Sequence, residues 1–173
     1  MAVDVSRENT PNEPLNHLGR AGEVHMVDVG EKEKTRRRAV ASAVVRMRTE
    51  TIVRLQDGAV EKGEVLATAR LAGIMAAKKT SDLIPLCHPI ALTHTTIAIE
   101  LDVHAGTASV VATAETHERT GVEMEAMVAA SVASLTIYDM LKGIDREITI
   151  GDIKLVEKDG GRSGHFVRKV ANT

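Results

Sequence analysis

A chain of 173 residues with 43% hydrophobic residues is long enough to bury one core, and its single cysteine excludes an internal disulfide and a cysteine-rich metal site. A net charge of −2 and a pI of about 6.4 give no field that would attract DNA or an anionic membrane. Tyr138 and Phe166 are the only aromatic residues, so a protein that stacks single-stranded bases on aromatic rings is disfavoured.

The N-terminal residues are polar and contain two prolines, which predicts a disordered tail over residues 1–16. No basic segment followed by an apolar run precedes the body of the chain, and no apolar stretch is long enough to predict a membrane span. We therefore expect a cytoplasmic protein with one domain over residues 17–166 and a C-terminal tail over 167–173.

The charged run over residues 31–38 has two interpretations. Its charge pattern is typical of a solvated loop. Alternatively, Arg36, Arg37 and Arg38 reach over a phosphate group. Small and β-branched residues over 38–47 then predict a first strand.

The middle of the chain predicts two helices and a hairpin. Thr49–Leu55 predicts a short helix, and residues 64–79 carry apolar side chains at helical spacing over a broad stripe. Residues 93–103 and 107–116 alternate apolar and polar side chains around a short glycine-containing turn, which predicts a β-hairpin.

The last part of the chain predicts a long helix and a strand. Thr120 and Glu123 have the spacing of a capping box, so the helix should begin there and run to Lys142, with Gly143 as its C-terminal cap. Residues 147–156 predict the final strand. The order predicts an α+β fold, a ferredoxin-like split β-α-β sandwich with helices on one face of an antiparallel sheet.

Two acidic residues on the long helix raise a question of distance. Glu125 and Asp139 lie on nearly the same helical face but about 21 Å apart along the axis. Either the ligand is long or a second subunit completes the pocket. Asp139 and Lys142 are three residues apart and could act as an acid–base pair, although an exposed ion pair would have the same spacing. On spacing alone Glu125 is expected to face solvent.

Pro85 and Pro89 predict a rigid loop around Leu86, Cys87 and His88. His88 there is either a general base or phosphate ligand, or a hydrogen-bonded loop residue. Cys87 is expected to be a buried apolar residue rather than a nucleophile. The histidines and the cysteine lack zinc-site spacing, so no metal held by protein ligands is predicted, although Mg²⁺ could accompany a triphosphate.

Scattered cations point to a phosphorylated small molecule. The glycine-rich stretch over residues 158–164 combines backbone donors with Lys158 and Arg162, and could wrap a phosphate or form only a mobile loop. No dinucleotide fingerprint and no phosphate-loop motif is present in the sequence.

Four stretches carry a more specific signal. They are Gly22-Glu23-Val24-His25-Met26-Val27-Asp28-Val29; Lys62-Gly63-Glu64-Val65 with Ala67-Thr68-Ala69-Arg70; Asp82-Leu83-Ile84-Pro85-Leu86-Cys87-His88-Pro89; and Thr120-Gly121-Val122-Glu123-Met124-Glu125-Ala126 running to Tyr138-Asp139-Met140. Over about residues 22–165 this set resembles the cyclic pyranopterin monophosphate synthases, the MoaC family of molybdenum cofactor biosynthesis.

The resemblance implies a lyase that converts 3′,8-cyclo-7,8-dihydroguanosine triphosphate into cyclic pyranopterin monophosphate and releases pyrophosphate. It also implies a ferredoxin-like fold, no tightly bound cofactor, and a homo-hexamer, a trimer of dimers, with active sites at the dimer interfaces. A shared site would satisfy the distance argument made above for Glu125 and Asp139.

The resemblance also implies roles for individual residues. Asp139 would be the active-site acid or base, and Lys142 and Lys62 would join it in proton transfer, with their division of labour open. The substrate would be bound by the side chains of Leu86, Cys87, His88, Glu123, Met124, Glu125, Lys78, Lys158 and Arg37, the last three facing the triphosphate.

Two positions depart from the family pattern. Leu141 and Gly143 flank Lys142 where cysteine and alanine are expected. A catalytically silent paralogue that binds a nucleotide or a partner enzyme is the alternative function, and it is disfavoured because the chain retains Asp139, Lys142, Lys62 and His88.

Overall fold

The computed structural model describes residues 17–18, 22–58 and 64–169. In chain order its elements are β1 (Thr35–Arg46), α1 (Thr49–Gln56), α2 (Val65–Ala77), α3 (Thr80–Leu83), β2 (Leu92–Asp102), β3 (Thr107–Glu118), α4 (Glu123–Leu141), β4 (Thr149–Asp159) and β5 (Phe166–Val167). The predicted tail over residues 1–16 and the candidate Lys62 lie outside the described residues.

The strands form one antiparallel sheet in the order β2-β3-β1-β4-β5. The first four strands in this order are those of the split β-α-β sandwich, so the predicted fold class is confirmed. The two-residue strand β5 was not predicted, because two residues carry no periodic pattern. It places Val167, the first residue of the predicted C-terminal tail, in the sheet.

The core consists of small aliphatic side chains. Alternate residues of the two central strands face the helices and are fully buried: Ala39, Ala41, Ala43 and Val45 of β1, and Ala108, Val110, Ala112 and Ala114 of β3. The buried face of α4 is also rich in alanine, at positions 126, 129, 130 and 133. These short side chains let α4 lie close to the sheet, so the core packs without aromatic rings.

Helices α2 and α4 also approach each other closely, at Gly73. A Cβ atom on Gly73 would collide with the side chain of Ile97 and lie 2.8 Å from the carbonyl oxygen of Ala129. Because a larger residue could fit only if packed atoms moved, glycine sets the separation of the two helices. The helices therefore form one tightly packed layer over the sheet.

Both predicted caps of α4 are wrong. The helix begins at Glu123, its N-cap residue is Val122, and no side chain caps it. The Glu123 carboxylate pairs with Lys158 instead of turning back to the first amide groups. At the other end Lys142 is the C-cap, and Gly143 lacks the positive φ of a capping glycine.

By length and composition alone α4 is apolar enough to cross a membrane, which the sequence pattern had not indicated; no other helix in the described part of the chain is. The fold accounts for this composition, because α4 packs against both the sheet and α2. The loop interpretation of residues 31–38 is also wrong from Thr35 onward, where β1 begins.

Candidate active site

A cavity of about 790 Å³ opens beside the N-terminal end of α4. It lies between the beginning of β1, the segment that precedes α4, and the glycine-rich turn after β4. Its volume is in the range that holds a nucleotide-sized ligand. Three predicted substrate-binding residues line it, Arg37, Glu123 and Lys158.

The cavity lining carries more cations than acids. The cationic side chains at the cavity are Lys32, Arg37, Arg119, Lys158 and Arg162, and the acidic ones are Glu31, Glu33, Glu123 and Asp159. Arg38 also lines the cavity, but its side chain pairs with Glu157 on the opposite face of the sheet and is not counted. Five cations against four acids leave an excess of one positive charge, which favours an anionic ligand such as a phosphate ester.

Among the three consecutive arginines, Arg37 is the one that points to the helix side of the sheet. It belongs to the same alternating set as the buried Ala39, whereas Arg36 and Arg38 project from the opposite face. There Arg36 pairs with Glu115 at 2.9 Å and Arg38 pairs with Glu157 at 2.8 Å. The prediction that all three arginines reach over one phosphate is therefore not supported by their ion pairs.

Arg37 lies against a turn that only glycine can form. Gly160 and Gly161 have φ angles of 95° and 78°, and a Cβ atom on Gly161 would collide with the Arg37 guanidinium. The Arg37 Nη2 group has only a long hydrogen bond, 3.4 Å, to the carbonyl oxygen of Arg119. Its Nε is buried from solvent and has no hydrogen-bond partner among the described residues. Arg37 therefore brings a positive charge to the cavity, but not through a donor at Nε.

Lys158 connects the glycine-rich turn to the beginning of α4. Its Nζ lies 3.1 Å from Glu123 Oε1 and donates to Ser163 Oγ at 2.7 Å. A Cβ atom on Gly121 would collide with the Glu123 carboxylate, so a larger residue there would displace that side chain. Sequence reasoning had identified Lys158 but not Ser163, whose only signal was its place in the glycine-rich stretch.

Glu125 is buried beside this cluster, with 3% of its surface exposed. The expectation that it faces solvent is wrong, because Glu125 lies one helical turn before the buried Ala129. Burial, with a smaller contribution from the nearby Glu123 charge, raises the pKa of Glu125 to about 7. Near neutral pH this carboxyl group can therefore hold or release a proton.

Cys87 is half-buried next to Glu125. Burial raises the pKa of the thiol, and the charge on Glu125 acts in the same direction. A thiol with a raised pKa is a poor nucleophile. This agrees with the prediction that Cys87 is not a nucleophile, although its burial is only partial.

His88 ties the Leu-Cys-His-Pro loop to the N-terminal segment of the domain. Its Nε2 lies 2.8 Å from the carbonyl oxygen of Val27. Because a carbonyl oxygen can only accept, Nε2 must carry the proton, and in the neutral ring Nδ1 is then the acceptor. No local sequence pattern indicates this contact, because the two residues are 61 positions apart.

Asp139 and Lys142 form a separate pair at the C-terminal end of α4. Lys142 Nζ donates to Asp139 Oδ1 at 2.6 Å, and the two side chains are 51% and 65% exposed. The hydrogen bond to Asp139, together with its charge, raises the pKa of Lys142. The pair thus consists of a protonated amine and a carboxylate that share a hydrogen bond in contact with solvent.

The structure therefore divides the predicted site residues into two groups. Arg37, Glu123 and Lys158 meet in the cavity, and Glu125 and Cys87 adjoin them. The Asp139–Lys142 pair lies near the opposite end of α4, about 21 Å along the axis. Three other candidates do not line the cavity. Leu86 and Met124 are half-buried, and Lys78 is exposed as the C-cap of α2.

Within the described residues, no cluster of three or more histidine, cysteine, aspartate or glutamate side chains is placed to hold a metal ion. The site as described consists of hydrogen-bond donors, carboxyl groups and cations.

Comparison with known proteins gives a consistent result. A sequence model described as the MoaC family matches residues 26–161. A relative from Roseiflexus sp. (strain RS-1) is 60% identical over 153 residues, covering 88% of this chain and 97% of the relative. One from Heliobacterium modesticaldum is 53% identical over 157 residues, covering 91% and 99%, and one from Brucella ovis is 55% identical over 152 residues, covering 88% and 92%. Each of these relatives is named cyclic pyranopterin monophosphate synthase. The chain belongs to the MoaC family.

Proposed function

We propose that this chain converts 3′,8-cyclo-7,8-dihydroguanosine triphosphate into cyclic pyranopterin monophosphate and releases pyrophosphate, in the cytoplasmic biosynthesis of molybdenum cofactor. The observation that carries the proposal is a cationic cavity of nucleotide size together with an intact Asp139–Lys142 pair. The relatives described above, which are named for this activity, support the same conclusion.

The triphosphate occupies the cavity beside α4. Arg37 and Lys158 line the cavity and supply two positive charges. Lys78, which is exposed at the end of α2, is a further cation that the resemblance implies for the triphosphate. These cations stabilise the negative charge that develops on the departing pyrophosphate. A magnesium ion that enters with the triphosphate would be bound mainly by phosphate oxygens and water.

The pterin half of the substrate needs proton transfer and no redox step. The reaction opens a ring of the cyclised nucleotide, rebuilds it as a pyranopterin and closes a cyclic phosphate. In the last step a sugar hydroxyl attacks the innermost phosphorus and the bond to pyrophosphate breaks. Asp139 accepts and returns protons, and Lys142 and Lys62 assist as acid or base. Leu86, Cys87, His88, Met124 and Glu125 form the walls.

The distance between the two groups of residues supports a shared site. Because about 21 Å of helix separates Glu125 from Asp139, one substrate is best bound by the cavity of one subunit and the Asp139–Lys142 pair of another. When each of two subunits contributes its cavity to one site and its Asp139–Lys142 pair to the other, they form a two-fold dimer with two sites. Three such dimers make the hexamer.

Turnover of the purified full chain tests the proposal. The expected result is one pterin product and one pyrophosphate for each substrate consumed. A folded hexamer that binds the triphosphate but releases neither product would favour the silent paralogue instead. A protein that runs as a monomer in gel filtration would contradict the shared site.

Mixing two inactive variants tests the shared site directly. Lys142→Ala removes a group at one end of α4, and Lys158→Ala removes a group in the cavity. After subunit exchange in equal amounts, half of the dimers are mixed, and each mixed dimer has one intact site. About a quarter of the wild-type activity should return. If each site lies within one subunit, every site keeps one lesion and no activity returns; each variant exchanged with itself is the control.

A further inference from the structure

The loop that follows α4 is held by a buried carboxyl group. Asp145 is 1% exposed, although it lies only six residues after Asp139. Burial opposes its ionisation, but hydrogen bonds from the Arg48 amide, Thr51 and the Glu147 amide more than offset burial, and its pKa is lowered. Asp145 is thus a fully partnered buried carboxylate near the end of α4.

The partners of Asp145 come from the beginning of α1. Its Oδ2 accepts from the Arg48 backbone amide at 3.0 Å and from Thr51 Oγ1 at 2.9 Å. No side chain of α1 caps that helix end, so the Asp145 carboxylate takes the place of a capping group. A residue that follows α4 therefore completes the first turn of α1.

The Arg48 side chain closes the contact from outside. Its Nε lies 3.2 Å from Asp145 Oδ1, and its Nη2 donates to the carbonyl oxygen of Ile144 at 2.5 Å. Oδ1 also accepts from the Glu147 amide at 3.1 Å. We call this set, Arg48, Thr51, Ile144 and Asp145, the α1–α4 clasp.

The clasp connects directly to the helix end that carries the acid–base pair. The amides of Ile144 and Asp145 both donate to the carbonyl oxygen of Leu141, at 2.9 and 3.0 Å. Gly143 provides no side chain that could anchor the turn, and the space around it is open. The position of this turn therefore depends on the Leu141 carbonyl and on the clasp.

We propose that Arg48 and Asp145 are positioning residues that hold the C-terminal turn of α4, and with it the Asp139–Lys142 pair, in the geometry needed for proton transfer. This inference rests on the proposed function of that pair. Neither residue lines the cavity that receives the triphosphate. Small displacements of a proton-transfer group slow the reaction without weakening substrate binding elsewhere, so the clasp should affect kcat rather than KM.

Arg48→Met is the variant that tests the clasp. It keeps the three other donors to Asp145, so the buried carboxylate stays hydrogen-bonded and the protein should fold. Arg46→Met is the matched control, because Arg46 is also 52% exposed and also pairs with an aspartate, Asp152. Arg48→Met should lower kcat about 10-fold with KM changed less than about two-fold, and Arg46→Met should leave both unchanged.

Amide hydrogen exchange gives a readout that does not depend on turnover. Exchange over residues 139–146 should accelerate in Arg48→Met and not in Arg46→Met. Equal kcat in the two variants would overturn the inference, and so would unchanged exchange in this segment. A raised KM with normal kcat would also overturn it, because Arg48 would then bind substrate. If the wild type makes no product, the proposed function fails, whereas the exchange measurement still decides whether the clasp holds the turn.

Discussion

Replacing Asp139 with asparagine, or Lys142 with alanine, should lower kcat at least about 100-fold, because each change removes one member of the proposed proton-transfer pair. The Lys142 Nζ lies 2.6 Å from Asp139 Oδ1, and this contact raises the pKa of Lys142. Both side chains are more than half exposed, so neither change should unfold the protein. Steady-state release of pyrophosphate and circular dichroism would measure the two effects.

Asp152→Asn is the matched control for this experiment. Asp152 also pairs with a cationic side chain, Arg46, and is also largely exposed at 47%. Asparagine accepts the positive φ of this position. The control should turn over like the wild type. If Asp139→Asn does the same, the Asp139–Lys142 contact is only a surface ion pair, and proton transfer belongs to other groups.

Glu125→Gln should make the protein more stable above neutral pH, and the gain should fade in acid. The folded-state pKa of Glu125 is raised from its ordinary 4.5 to about 7. A raised carboxyl pKa means that the folded state favours the protonated form. The contribution of this preference to the stability of the folded protein is complete below about pH 4.5, and it is lost as pH rises through about 7. Glutamine has no such loss, so the difference in unfolding free energy should grow by about 2 kcal/mol between pH 5.5 and 8.

Thermal melting of both proteins across this pH range would measure that difference. Glu100→Gln on the outer strand β2 is the control, because its side chain is exposed and its replacement removes no buried charge. If the difference in unfolding free energy between the wild type and Glu125→Gln does not depend on pH, the Glu125 carboxyl group keeps one charge state over this range.

Sequence patterns predict the fold well where the signal repeats along an element. The small and β-branched residues of the first strand, the alternation of the hairpin strands β2 and β3 and the apolar spacing of α2 each extend over ten or more residues, and the structure confirms these elements. The strand order also follows, because short connections leave few ways to assemble them. The motifs of the resemblance predict the site residues, but they do not indicate how these residues are distributed in space.

The errors arise where a distant residue changes a local preference. The Thr120–Glu123 spacing predicts a capping box, but Glu123 pairs instead with Lys158, which is 35 positions later in the chain. The charge of Glu125 predicts exposure, whereas its place on the buried stripe of α4 decides the outcome. Asp145 resembles an ordinary loop acid until the fold places α1 beside it. A short segment of sequence cannot predict such contacts, because the partner residue lies elsewhere in the chain.

The close packing at Gly73 has a consequence for how substrate would enter and leave. The interior of α4 contains no glycine or proline, and the carbonyl oxygen of its Ala129 faces α2 without space for even one methyl group. The two halves of the proposed site are thus attached to opposite ends of one helix, which has no glycine or proline at which it would kink. If a working site joins halves from two subunits, its opening and closing must come from rotation of one subunit against the other, or from the surrounding loops. The rate of product release would then depend on the contact between subunits rather than on a change of shape within α4.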